Sequence, residues 1–142
     1  MKSSQEMLSS ILKTTQMGQI GIRSALDNRM QPGLRSALQK QLKEYDRLES
    51  EAHALAAQRG WEPEELDPAV RAMSDMMTRM KLSLSGNDSK IADMMIQGNT
   101  KGMIKGLKML HKLPKTDSQV TTLSQKLLDT ENANIRQMQA FL

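Results

Sequence analysis

A connector of 25 residues, Trp61 to Ser85, separates two pairs of long amphipathic segments, and its length governs how those pairs can pack. A turn of a few residues would leave the flanking helices as antiparallel neighbours. A connector able to run the height of a helical bundle lets them lie parallel instead, as in bundles with one long crossover. Strand is disfavoured on both sides of it. Aromatics are only 2% of the chain while Met occurs 13 times, and few residues are β-branched, a composition suited to an all-α core.

The punctuation divides the chain into five helices. Helix 1 is predicted from a capping box at Ser3 and Glu6 to about Arg29. Gln31-Pro32-Gly33 folds helix 2 back, and Arg59-Gly60 ends it with a residue able to take the left-handed cap. Asp67-Pro68 starts a shorter crossover helix, and helix 4 begins after Gly86-Asn87-Asp88 and stops at Leu113-Pro114. Helix 5 follows from a cap at Thr116 and Gln119. The four long helices measure roughly 25 residues, or about 38 Å, each.

One domain accommodates all 142 residues: hairpin 1 over about 3–60, crossover over about 61–86, hairpin 2 over about 87–142. With no Cys, disulfides, thiolate metal sites and thiol nucleophiles are excluded. No apolar run resembles a signal peptide or a membrane span, so a cytoplasmic location is expected. A net charge of +4 is mild and fits either an anionic partner or simple solubility.

The most informative stripe closes the chain: Val120, Leu123, Leu127, Glu131, Asn134, Met138 and Phe141 share one helix face. A carboxylate and an amide occupy its middle. A buried Glu costs several kcal/mol unless it is paired, protonated or bound to a metal. Gln19, Gln97, Asn134 or a backbone amide are the expected partners of Glu131.

This layout, together with TTQMGQIGIRSAL on helix 1, QKQLKEYDRLESEAHAL on helix 2 and IQGNTKGMIKGLKML on helix 4, resembles uncharacterised bacterial members of the ferritin-like superfamily. The resemblance implies a ferritin-like four-helix bundle, two antiparallel hairpins joined by a crossover that carries a short extra helix. A five-helix array without internal symmetry is the alternative. Metal-binding members draw single Glu residues from the first and third bundle helices and Glu-x-x-His from the second and fourth. Counted outward from the turns, the single-Glu positions fall on Gln16 or Gln19 and on Gln97. The Glu-x-x-His positions become Glu44-x-x-Arg47 and Glu131-x-x-Asn134. About four carboxylates and two imidazoles are needed for two divalent ions, and these residues do not supply them. The resemblance therefore implies a polar core layer of Gln19, Glu44, Arg47, Gln97, Glu131 and Asn134, with Arg47 neutralising Glu44 as an internal ion pair. A non-catalytic protein without a cofactor is expected. The alternative is an atypical metal or redox site in which Glu44 and Glu131 hold a divalent ion.

Other patterns compete for function. His53 and Glu49 have chelating i, i+4 spacing but sit at the edge of the apolar face, and His111 lies at a helix end. Gly98, Gly102 and Gly106 form a smooth groove for a close helix, taken first as internal packing and second as a homodimer contact. Met73, Met76, Met77 and Met80 line one face of the crossover helix, expected to be core, with an adaptable dimer or partner surface as the alternative. Lys101, Lys105, Lys108 and Lys112 make a basic ridge, read as a solvated face or, second, as a site for an anionic partner. Without aromatics for base stacking or a recognition motif, no specific nucleic acid is expected.

Overall fold

Local capping chemistry sets the ends of five α-helices in the computed structural model, which describes residues 2–85, 87–113 and 116–142. They are α1 (Lys2–Leu26), α2 (Pro32–Arg59), α3 (Pro68–Ser85), α4 (Asp88–Lys112) and α5 (Ser118–Gln139), and no strand occurs among the described residues. The breaks read at Gly86 and Pro114 lie outside the described residues. Pro32 opens α2, where its missing N–H leaves no helical bond unmade. Gly60 closes it at φ 69°, with the Trp61 amide bonded to the Ala56 carbonyl at 2.9 Å. Asn87 caps α4 by accepting from the Lys90 amide at 2.8 Å.

Two ends differ from the sequence reading. Helix α1 stops at Leu26, not Arg29, because Asn28 and Arg35 take over its last carbonyls: Asn28 Nδ2 donates to Ser24 and Ala25, and Arg35 Nη1 to Leu26. Helix α5 is capped by Asp117, not Thr116. Asp117 Oδ1 accepts from the Gln119 and Val120 amides, and its other oxygen accepts from Arg59 Nε at 2.9 Å. The Asp117 amide donates to Ser4 Oγ at 2.7 Å, so this residue joins the ends of three helices. Replacing Asp117 with Ala is expected to cost about 1–2 kcal/mol in urea unfolding. A loss no larger than at an exposed surface site would show that the cap contributes little.

Cross-helix bonds fix the helix directions. Lys112 meets Glu6 at 3.1 Å while the Gln31 amide meets Asp88 at 3.3 Å, so α4 runs antiparallel to α1. Gln41 donates to Gln137 at 2.8 Å and Lys126 reaches Glu51 at 3.4 Å, so α5 runs antiparallel to α2. Within each hairpin, α1 opposes α2 and α4 opposes α5, which leaves α2 and α4 parallel. The connector makes this possible. Its backbone is stitched to α1 where the Glu64 and Leu66 amides donate to Ser9 Oγ and Gln16 Oε1, both at 2.8 Å. Helix α3 then runs alongside α1, held by Asp75 to Ser24 and by Arg79 to Asp27.

Met7, Leu8, Leu12, Ile22, Leu34, Leu38, Leu48, Ile91 and Met138 are buried between the four long helices. At roughly 1.5–3 kcal/mol for each large apolar side chain, their burial is the main force holding those helices together. Helix α3 contributes little to this core, chiefly Leu82. The Met stripe read as core is a solvent face: Met73, Met76, Met77 and Met80 are between 51% and 60% exposed. The cause is the polar edge by which α3 docks on α1, through Asp75 and Arg79, which leaves those thioethers about half in solvent. No helix among the described residues is long and apolar enough to cross a membrane.

Candidate functional site

Halfway along the long helices the apolar packing gives way to a hydrogen-bonded layer. Tyr45 from α2, Asn99 from α4, and Glu131 and Asn134 from α5 are each buried. The Tyr45 hydroxyl donates to Asn99 Oδ1 at 2.7 Å, and Asn99 Nδ2 donates to the Met95 carbonyl at 2.8 Å. Asn134 Nδ2 approaches the same Asn99 oxygen at 3.5 Å. Burial and then the Glu131 charge push the Tyr45 hydroxyl well above its usual range, so it remains a donor.

Glu131 is the anomaly of the layer. It is 1% exposed, yet its Oε1 has no hydrogen-bond partner. Its carboxyl lies against the backbone of Gly102, where an added Cβ would come within 2.0 Å of Oε2. Burial pushes its pKa up to about 8, so at neutral pH the neutral acid prevails. Of the partners expected for it, Gln97 is exposed and bonded to Asp93 on its own helix, and Gln19 donates to Asp46.

Gln19 is buried but belongs to a second polar cluster at the α1–α2 edge. There Gln16, 1% exposed, donates to Glu49 at 3.0 Å and to Glu65 at 2.9 Å. His53 pairs with Glu65 at 2.8 Å, not with Glu49. The internal ion pair expected between Glu44 and Arg47 is a surface one: the side chains are 37% and 68% exposed and 3.3 Å apart. Helical rotation explains these displacements. Each residue turns the face by about 100°, so Tyr45 points inward where Glu44 does not, and Asn99 occupies the place read for Gln97. The lone Tyr of the chain, midway along α2, and the Ile91–Met95–Asn99 spacing on α4 were the available signals.

The dinuclear metal centre of ferritin-like proteins does not fit this layer. One carboxyl, two amides and a phenol replace the four carboxylates and two imidazoles such a centre uses. Among the described residues no three His, Cys, Asp or Glu side chains are grouped closely enough to hold a metal ion.

A cavity of about 460 Å³ opens above the layer, between α1, α3 and α4. Glu131, Tyr45 and Asn99 line it, together with the bare backbones of Gly18, Gly21, Gly98 and Gly102. Met17, Ile20, Met77, Met94 and Met95 make its walls apolar. Lys13, Lys101 and Lys105 also line it. Burial and then the charge of Lys13 hold the Lys105 ammonium below its ordinary pKa. The glycine row of α4 is therefore used in two ways: Gly98 has no neighbour within 4 Å of an added Cβ, while Gly102 and Gly106 meet Glu131 and Leu128 of α5. The size, mixed lining and partial enclosure are those of small-molecule sites.

Comparison of the chain with protein-family models, with curated proteins and with solved structures returned no match.

Proposed function

We propose that this chain is a ferritin-like four-helix bundle that has exchanged a metal layer for a hydrogen-bonded polar one. It acts without catalysis, by binding a small molecule in the cavity above that layer. The antiparallel pairing of α1 with α4 and of α2 with α5 supports the ferritin-like assignment, because that topology needs a connector as long as the 61–67 segment and α3. The observation that carries the function is Glu131. A buried carboxyl with an unpartnered oxygen, lining a cavity of about 460 Å³, is costly to keep. Such a group is more readily retained for a ligand than for stability.

The test is metal analysis of protein purified without chelators or a histidine tag, together with a screen for bound small molecules by native mass spectrometry. Iron, manganese and zinc are expected well below one equivalent, with organic adducts retained by the folded protein. One equivalent of metal that disappears on Glu131→Gln would replace this reading with a metal-dependent one.

A further inference from the structure

We infer that the cavity takes a small amphipathic organic anion, an apolar body with a carboxylate at one end and a carbonyl-type hydrogen-bond acceptor at the other. The carboxylate is held by Lys101 and Lys105, and the acceptor by the Glu131 carboxyl acting as donor. The inference rests on the small-molecule reading above and specifies its ligand.

Charge decides the sign of the ligand. Three lysines line the cavity, and Lys13 is already paired with Glu64 at 2.9 Å. Among the described residues, neither Lys101 nor Lys105 has a carboxylate at ion-pair distance. An anion would relieve the repulsion between Lys105 and Lys13, whereas a cation would add to it. Glu131 decides the second contact. With its pKa raised to about 8 by burial, it holds a proton at neutral pH and donates it to an acceptor. Among the described residues, the titratable groups that line the cavity with it are Tyr45 from α2, Lys13 from α1, and Lys101 and Lys105 from α4, while α3 contributes Ser74, Met77 and Thr78, none of which titrates there. Tyr45 is committed to Asn99, so Glu131 is the donor free to meet a ligand. Between the two ends, thioether walls conform to an alkyl or aryl body of varied outline.

Calorimetry or tryptophan fluorescence with four ten-carbon probes tests this: 9-oxodecanoate, decanoate, 2-decanone and the cation of 10-aminodecan-2-one. The oxo acid is expected to bind best, with decanoate and 2-decanone each weaker by about tenfold, one hydrogen bond or ion pair lost. The cation should bind weakest. In Glu131→Met the oxo acid should fall to the affinity of decanoate. In the double variant Lys101→Gln/Lys105→Gln, whose exposed sites leave folding intact, it should fall to that of 2-decanone. As pH rises through 8, wild-type affinity for the oxo acid should fall by about tenfold toward that of decanoate as the donor proton is lost, while Glu131→Gln, which keeps a donor, should fall less over the same range. If Glu131→Met does not fold, this pH contrast carries the test. Tighter binding of the cation or of 2-decanone than of the oxo acid would overturn the anionic ligand and leave the cavity reading standing. Binding of none of the four, with no organic adduct in native mass spectra, would overturn both.

Discussion

Replacing Glu131 with Gln is expected to make the protein more stable at pH 8.5 by several kcal/mol, and to change it little at pH 4.5. The effect follows from the raised carboxyl pKa, about 8 in the folded chain against an ordinary value of 4.5. Between those two values the folded state holds one proton more than the unfolded state. Stability from this group is therefore complete below pH 4.5 and is lost as pH rises through 8. At about 1.4 kcal/mol per pH unit, the loss approaches on the order of 5 kcal/mol as a ceiling, because water entering the cavity would soften it. Glutamine keeps the shape and cannot ionise, so its offset is constant with pH. Asp117, whose carboxyl Arg59 holds below the usual range, acts with the opposite sign at acid pH. It is the same in both proteins and cancels in the difference. Urea unfolding of the pair at pH 4.5, 6.5 and 8.5 measures the effect. A difference that does not grow with pH would mean that Glu131 ionises as freely as a surface carboxylate.

The helix order was legible because helix ends are written in local chemistry. Pro32, Gly60, the Asp67-Pro68 pair and Asn87 each act within a few residues of themselves, and each lies at an end in the structure. The all-α class followed from the scarcity of aromatic and β-branched residues. What depends on rotation about a helix axis was harder to read. Counting from turns locates a residue along the bundle well, but an error of one or two positions turns the side chain by about 100° or 200°. That separates Glu44 from Tyr45 and Gln97 from Asn99. The Met face of α3 was unreadable for another reason. Its apolar periodicity predicts a buried face, but the docking of α3 is decided by the pairing of Ser24 with Asp75 and of Asp27 with Arg79, which spans 51 and 52 residues and leaves no local trace. The cavity follows from the same displacement, since α3 leans on α1 and leaves α4 uncovered beside Glu131.

Alanine at Gly18 is expected to destabilise the protein by about 2–3 kcal/mol, although Gly→Ala inside a helix ordinarily stabilises by roughly 0.5–1 kcal/mol. The reversal comes from the close approach of α2. A Cβ at Gly18 would stand 2.7 Å from both Cε2 and Cζ of Tyr45. The ring cannot bend, is 3% exposed, and is pinned at its far end by the 2.7 Å bond to Asn99. Either the helices separate or the Tyr45–Asn99 bond breaks, and both disturb the floor of the cavity. Gly98 supplies the control: nothing lies within 4 Å of its added Cβ, so Gly98→Ala should stabilise by up to about 1 kcal/mol. Gly102 isolates the role of Glu131. Its Cβ would meet the end of a side chain, so Gly102→Ala should destabilise the wild-type protein but stabilise a Glu131→Ala background, a coupling of about 2 kcal/mol in a double-mutant cycle. The five proteins can be compared with wild type by urea unfolding at pH 6.5. Should Gly18→Ala gain as much stability as Gly98→Ala, the Tyr45 ring does not lie against α1, and the polar layer as described is wrong.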